Sequence, residues 1–242
     1  MGFFDDICDW FKDQFNVRPD VGDGGLSQAV KQTISKPEHQ TATPPHPVII
    51  PTKVASIVVP APRSRAEYEA KYFAATVKPE HVGELKSICG KMLANKDQYM
   101  KVEQAAKVPW FVVAAIHHME SDCDFDTHLH NGDPLTARTV HVPAGRPKHG
   151  TPPFSWYESA IDALGGEDSF KGNEWSLGAT LDFLESYNGR GYSRRGMPSP
   201  YLWSGTDQYT RGLYVSDGEF DSNAVSKQLG AVCILKTLKA FV

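Results

Sequence analysis

The sequence predicts a mainly α-helical domain with long loops over residues 63–242, preceded by an N-terminal amphipathic helix (1–16) and a proline-rich linker (17–62). Three observations carry this division. Apolar residues recur at spacings of three and four in most segments after Ser64. Two stretches, Ser121–Pro153 and Asn188–Asp207, lose that periodicity and fill with Asp, His, Gly, Pro and Arg. Lys36–Pro62 holds seven of the chain's 17 prolines, a composition that cannot build a packed core and favours an extended tether. With 242 residues and 40% hydrophobic content, one core with an appendage fits better than two equal domains, and there is no internal repeat.

In chain order, Phe3, Phe4, Ile7, Trp10, Phe11 and Phe15 form one apolar stripe opposite Asp5, Asp6, Asp9 and Asp13. A polar face of this sign disfavours an anionic membrane and suits docking, either onto another protein such as a virion or pore component or onto the chain's own domain. The aspartates also interrupt any secretory h-region, and no apolar run is long enough to span a bilayer. Asn16–Gly25 is rich in turn residues and Leu26–Ser35 suits a brief helix.

The helical domain opens with capping-box spacing in Ser64-Arg65-Ala66-Glu67 ahead of Tyr68, Tyr72 and Phe73. Pro79-Glu80-His81-Val82 starts a second helix through Leu85, Ile88 and Met92, and Asp97–Lys107 a third. Pro109 then sits in the first turn of an apolar helix that runs from Trp110 to Ile116 and on to Glu120. Phe154–Leu164, Asn173–Tyr187 and Asn223–Phe241 return to helical spacing, and Thr139–Val142 suits a short hairpin.

The formal charge of −4 gives no support to nucleic-acid binding. Cys8, Cys89, Cys123 and Cys233 are far apart with no CxxC pair, and read as reduced thiols. The chemistry concentrates in three clusters: Glu120-Ser121-Asp122-Cys123-Asp124-Phe125 with His128-Leu129-His130-Asn131-Gly132-Asp133-Pro134-Leu135; Tyr187-Asn188-Gly189-Arg190-Gly191-Tyr192; and Pro198–Thr206. A carboxyl group leaving a buried helix is partly desolvated, which raises its pKa and suits Glu120 to general-acid work.

An apolar helix that opens at a proline and ends in Glu-Ser, with a Phe shortly after and Tyr-Asn-Gly closing a later helix, resembles the lytic transglycosylase and goose-type lysozyme superfamily. The longer strings, from His128–Leu135 through Thr139–Pro147 to Tyr201–Thr206, look more narrowly like a lysozyme family common in bacteriophages. The resemblance covers residues 63–242. It implies a lysozyme-like fold and cleavage of the β-1,4 bond between N-acetylmuramic acid and N-acetylglucosamine in bacterial peptidoglycan, without metal or organic cofactor. Glu120 would protonate the leaving oxygen, and Tyr187 and Asn188 match the Tyr-Asn element that lines the sugar groove. Tyr192, His130 and Tyr201 are further candidates for contact with sugar. Asp133 lies at a comparable offset to the first aspartate that goose-type enzymes use to position water; Asp124 and Asp126 are lesser candidates, and the plain structural role for Asp133 is capping its own turn. Without a second carboxylate the product would be an anhydro-sugar, as in transglycosylases.

Other classes stay open at this stage. His117, His118, His128, His130 and His141 could supply zinc, although there is no HExxH and adjacent histidines face different sides of a helix. Asp122, Asp124, Asp126 and Asp133 mimic a calcium loop that lacks its central glycine. A non-catalytic peptidoglycan-binding or structural virion module would make Glu120 dispensable. Tyr201, Trp203, Tyr209 and Tyr214 suit either sugar stacking or a core, and Arg138, Arg146, Lys148, Arg190, Arg194 and Arg195 would give the groove a basic rim. The missing secretory signal fits a phage lysin that acts on the wall from the virion or from the host cytoplasm through a partner pore.

Overall fold

A computed structural model describes residues 63–216 and 218–238, so the amphipathic helix and linker expected within 1–62 lie outside the described residues. Helix α1, Arg65–Ala74, opens on the expected capping box: Ser64 Oγ accepts from Glu67 N at 3.2 Å, and Ser64 N donates to Glu67 Oε2. A 3₁₀ turn, Pro79–His81, leads into α2, Val82–Ala94, whose buried face is Leu85, Ile88, Cys89 and Met92. Helix α3, Lys96–Ala106, buries Tyr99, Val102 and Ala106 and stops at Lys107 in the left-handed conformation.

Helix α4, Trp110–Ser121, is the axis of the domain. Pro109 is its N-cap rather than a first-turn residue, and every side chain from Val112 to Met119 is buried. A helix that is apolar all round must be wrapped, and α3 and α9 (Ala231–Leu238) pack on it while α6 (Leu177–Asn188) touches it. Helix α1 packs on α6, α2 on α9, and α5 (Trp156–Ala163) on α3. Two short helices, α7 (Gly191–Arg194) and α8 (Pro200–Trp203), occupy the second irregular stretch, and α8 packs on both α6 and α9. The domain is mainly helical, and no helix among the described residues is long and apolar enough to cross a membrane.

Beyond Pro109, the structure departs from expectation in four more places. Thr139–Val142 forms no hairpin, because the Val140 and His141 amides both donate to Asp133 Oδ2 and Thr139 pairs with Arg146 O and Gly145 N in a closed turn. An antiparallel pair does form later, between β1 (Leu213–Ser216) and β2 (Glu219–Asp221). The helix expected from Asn173 begins at Leu177, capped by Ser176 Oγ. The helix expected from Asn223 begins only at Ala231, and Val225 is exposed. Residues before it give their polar groups to neighbours instead: Ser226 N donates to Tyr209 Oη, and Gly230 N to Ser204 O. Gly230 lies so close to α8 that an added Cβ would stand 2.4 Å from Leu202 O.

Candidate active site

The site is built on the C-terminal end of α4. Helix ends leave carbonyls without partners, and here those of His117, His118, Met119 and Ser121 are taken up. Asp122 N donates to His118 O at 2.9 Å and Cys123 N to His117 O at 3.2 Å through two left-handed residues, Asp122 and Cys123. Ser121 Oγ donates to His117 O at 3.2 Å, and Gln228, from the segment before α9, donates Nε2 to Met119 O at 2.9 Å. The last turn is therefore fixed, and with it the position of Glu120.

Burial pushes the Glu120 carboxyl up to about 7, only partly opposed by the hydrogen bond it accepts from Tyr201 Oη to Oε1 at 3.1 Å. Burial, reinforced by the Glu120 charge, also pushes the Tyr201 and Tyr187 hydroxyls well above their ordinary value, so α4, α6 and α8 bring these three residues to one place. Tyr187 Oη also reaches Leu129 O at 3.4 Å, tying α6 to the loop after Glu120. Beside them lies a cavity of about 440 Å³, lined by Met119, Asn188, Tyr192, Tyr201, Tyr214 and Gln228 among others. Asn188 ends α6 at its exposed lip; Tyr192 lines it while its hydroxyl accepts from Tyr214 N at 3.0 Å.

The other two residues expected at the site have different surroundings. His130 is buried, its Nε2 2.9 Å from Asp162 Oδ2 and its Nδ1 3.4 Å from Ser159 Oγ. The Ser159–His130–Asp162 order imitates a nucleophile triad, yet Ser159 is fully buried and accepts from Leu129 N at 3.1 Å. The chain of bonds thus pins the loop onto α5, and Arg146 Nε extends it at 2.8 Å from Asp162.

Asp133 is likewise engaged. Burial alone would raise its carboxyl, but the His141 amide, the His141 ring at 2.6 Å and the Val140 amide outweigh burial and hold it at about 2. Gly132, at a φ of 75°, brings this loop against α4: a Cβ there would stand 3.0 Å from the Glu120 carbonyl oxygen.

The remaining histidines and aspartates do not converge. His117 contacts Tyr99 Oη and Asp124 O, each at 3.0 Å, and burial drives its pKa down to about 4; His118 faces Asp122 at 3.1 Å. His128 sits between Ser159 Oγ and Ala137 O, each at 2.8 Å. No group of three or more potential metal-ligating side chains forms among the described residues. Of the aromatics, Trp203 and Tyr209 belong to the core whereas Tyr201 and Tyr214 line the cavity. The arginines expected on the rim are partly committed: Arg190 to Asp182 at 2.6 Å, and Arg195 to Tyr214 Oη at 2.8 Å while lying over the Phe220 ring.

Gln228, the pairing of His141 with Asp133, the Ser159–Asp162 pair and the β1–β2 wall were missed by sequence reasoning. Only the wall had a signal, the Asp217-Gly218 turn between Leu213–Ser216 and Glu219–Asp221. Compared with family models, curated proteins and solved structures, the chain matches none.

Proposed function

We propose that residues 63–242 form a lysozyme-like domain that cleaves peptidoglycan glycan strands at the β-1,4 bond after N-acetylmuramic acid, with Glu120 as general acid. The observation that carries this is the Glu120 carboxyl, half-buried at a helix end and bonded to Tyr201, which lines the cavity, with its pKa raised to about 7. A carboxyl group in that range keeps its proton near neutrality and gives it to a leaving oxygen as the glycosidic bond breaks. Tyr201 stabilises the carboxylate so formed, since its hydroxyl donates to the same oxygen. Asn188 and Tyr187 orient the sugar at the bond to be cut, and Tyr192 and Tyr201 supply the cavity wall. The reaction uses neither metal nor organic cofactor. As a phage lysin the protein would meet the wall from the virion or through a pore.

A second reading, a lytic transglycosylase, is favoured by Asp133. Both its oxygens accept bonds from its own loop, which leaves it a weak base for activating water. In that case the 6-hydroxyl of the muramyl sugar attacks C1, returns its proton to Glu120 and closes an anhydro ring.

Digestion of purified peptidoglycan by the wild type and by Glu120→Gln, with mass spectrometry of the muropeptides, tests both. Reducing ends lost in the variant support hydrolysis, and anhydro ends support the second reading. Full activity in the variant, or no glycan cleavage by the wild type, overturns both and leaves a binding module.

A further inference from the structure

We infer that an apolar groove formed by Tyr72 and Phe73 of α1, Phe111 of α4, Trp175 and Leu177 at the start of α6, and Leu235 of α9 is the docking site for residues 3–15 of the same chain. The groove encloses about 320 Å³ and shares no residue with the cavity beside Glu120, so the inference is independent of the proposed activity. It is built where four helices meet yet is left open. Phe73 is 66% exposed although it follows directly on the buried Tyr72. A large aromatic beside half-buried Phe111, Trp175 and Leu177 is a contiguous apolar surface rather than a scattered one.

Two arguments select the occupant. The first is chemistry: Phe3, Phe4, Ile7, Trp10, Phe11 and Phe15 form a stripe of the helix-in-groove kind, with apolar residues at spacings of three and four.

The second is reach. The described chain begins at Arg63, whose guanidinium lies 4.0 Å from the buried Glu185 carboxylate, and Phe73 is about 12 Å along α1 from Arg65. Residues 16–62 have a contour of about 150 Å, far more than the path requires. A tether of this kind holds its segment at an effective concentration of order millimolar, above that of any second copy at micromolar protein.

The test uses the full chain with photoreactive benzoylphenylalanine at position 73, an exposed site that tolerates the larger ring. Irradiation should give an adduct of monomer mass, mapped to residues 3–15 by mass spectrometry, in a yield independent of protein concentration. Trp10→Asp in the same chain should lower that yield roughly tenfold or more, and Trp10→Phe should keep it within about twofold. An adduct of dimer mass would assign the groove to a second copy and overturn the inference. So would adducts confined to residues 16–62, no adduct at all, or a yield indifferent to Trp10→Asp.

Discussion

Glu120 and Asp133 are carboxyl groups joined by one loop, and their environments push them in opposite directions. Glu120 stands among buried tyrosines with one hydroxyl as donor, and its pKa rises to about 7. Asp133 is as buried as many core residues, yet three N–H groups converge on it and hold it at about 2. Burial is common to both, so the number of donors aimed at the charged form decides which one keeps its proton. The pair divides into a group poised to give up a proton and a group that organises its loop.

The largest effect that would break this division is on Glu120 itself. Glu120→Gln should lower glycan cleavage by about 10²–10⁴-fold, measured as muropeptide release. Its stability should move the other way. The folded protein disfavours the charged form, so a cost appears as pH rises above the ordinary value near 4.5 and is complete above about 7. Glu120→Gln removes it and should be more stable by about 2 kcal/mol at pH 8, with no gain at pH 4, in urea unfolding.

Asp133→Asn should lose about 1–2 kcal/mol at pH 7 after allowance for solvent screening. The folded pKa is depressed, so this contribution is present above about 4 and fades as pH falls toward 2. If Asp133 only clamps the loop, the folded variant keeps activity within about tenfold; a fall like that of Glu120→Gln would make it the base after all. Tyr201→Phe should sharpen the comparison from the other side. Removing the hydroxyl that lowers the Glu120 pKa shifts the descending limb of the pH–rate profile to higher pH. Smallest, Gln228→Ala should cost about 1 kcal/mol of stability, since it removes the side-chain donor from the Met119 carbonyl.

The helices were legible wherever a local rule fixed them. Ser64 and Glu67 announce α1, and the apolar run after Pro109 announces both the burial of α4 and the emergence of Glu120. Tyr187 and Asn188 were candidates through the Tyr-Asn element of the resemblance and Tyr201 through its aromatic cluster; Asn188 and Tyr201 line the cavity, and Tyr187 stands near Tyr201 and Glu120. What stayed hidden depends on long-range partners. Nothing near Asp133 in sequence says that the His141 ring and two amides will saturate it. Likewise nothing in residues 223–230 says that Gln228 will cap α4 and so keep the last helix from starting early. A helical pattern with Gly230 inside it yielded to the close approach of α8.

The contact between Arg63 and Glu185 fixes where a protease could separate the domain from its leader. Glu185 is fully buried and shared by Tyr68, Ser193 and Arg63, so the guanidinium offsets a charge that water cannot reach. Cleavage just before Arg63 leaves that charge matched. Cleavage just after it strands a carboxylate in the interior and should release a domain that unfolds at lower temperature, although only one residue separates the two cuts.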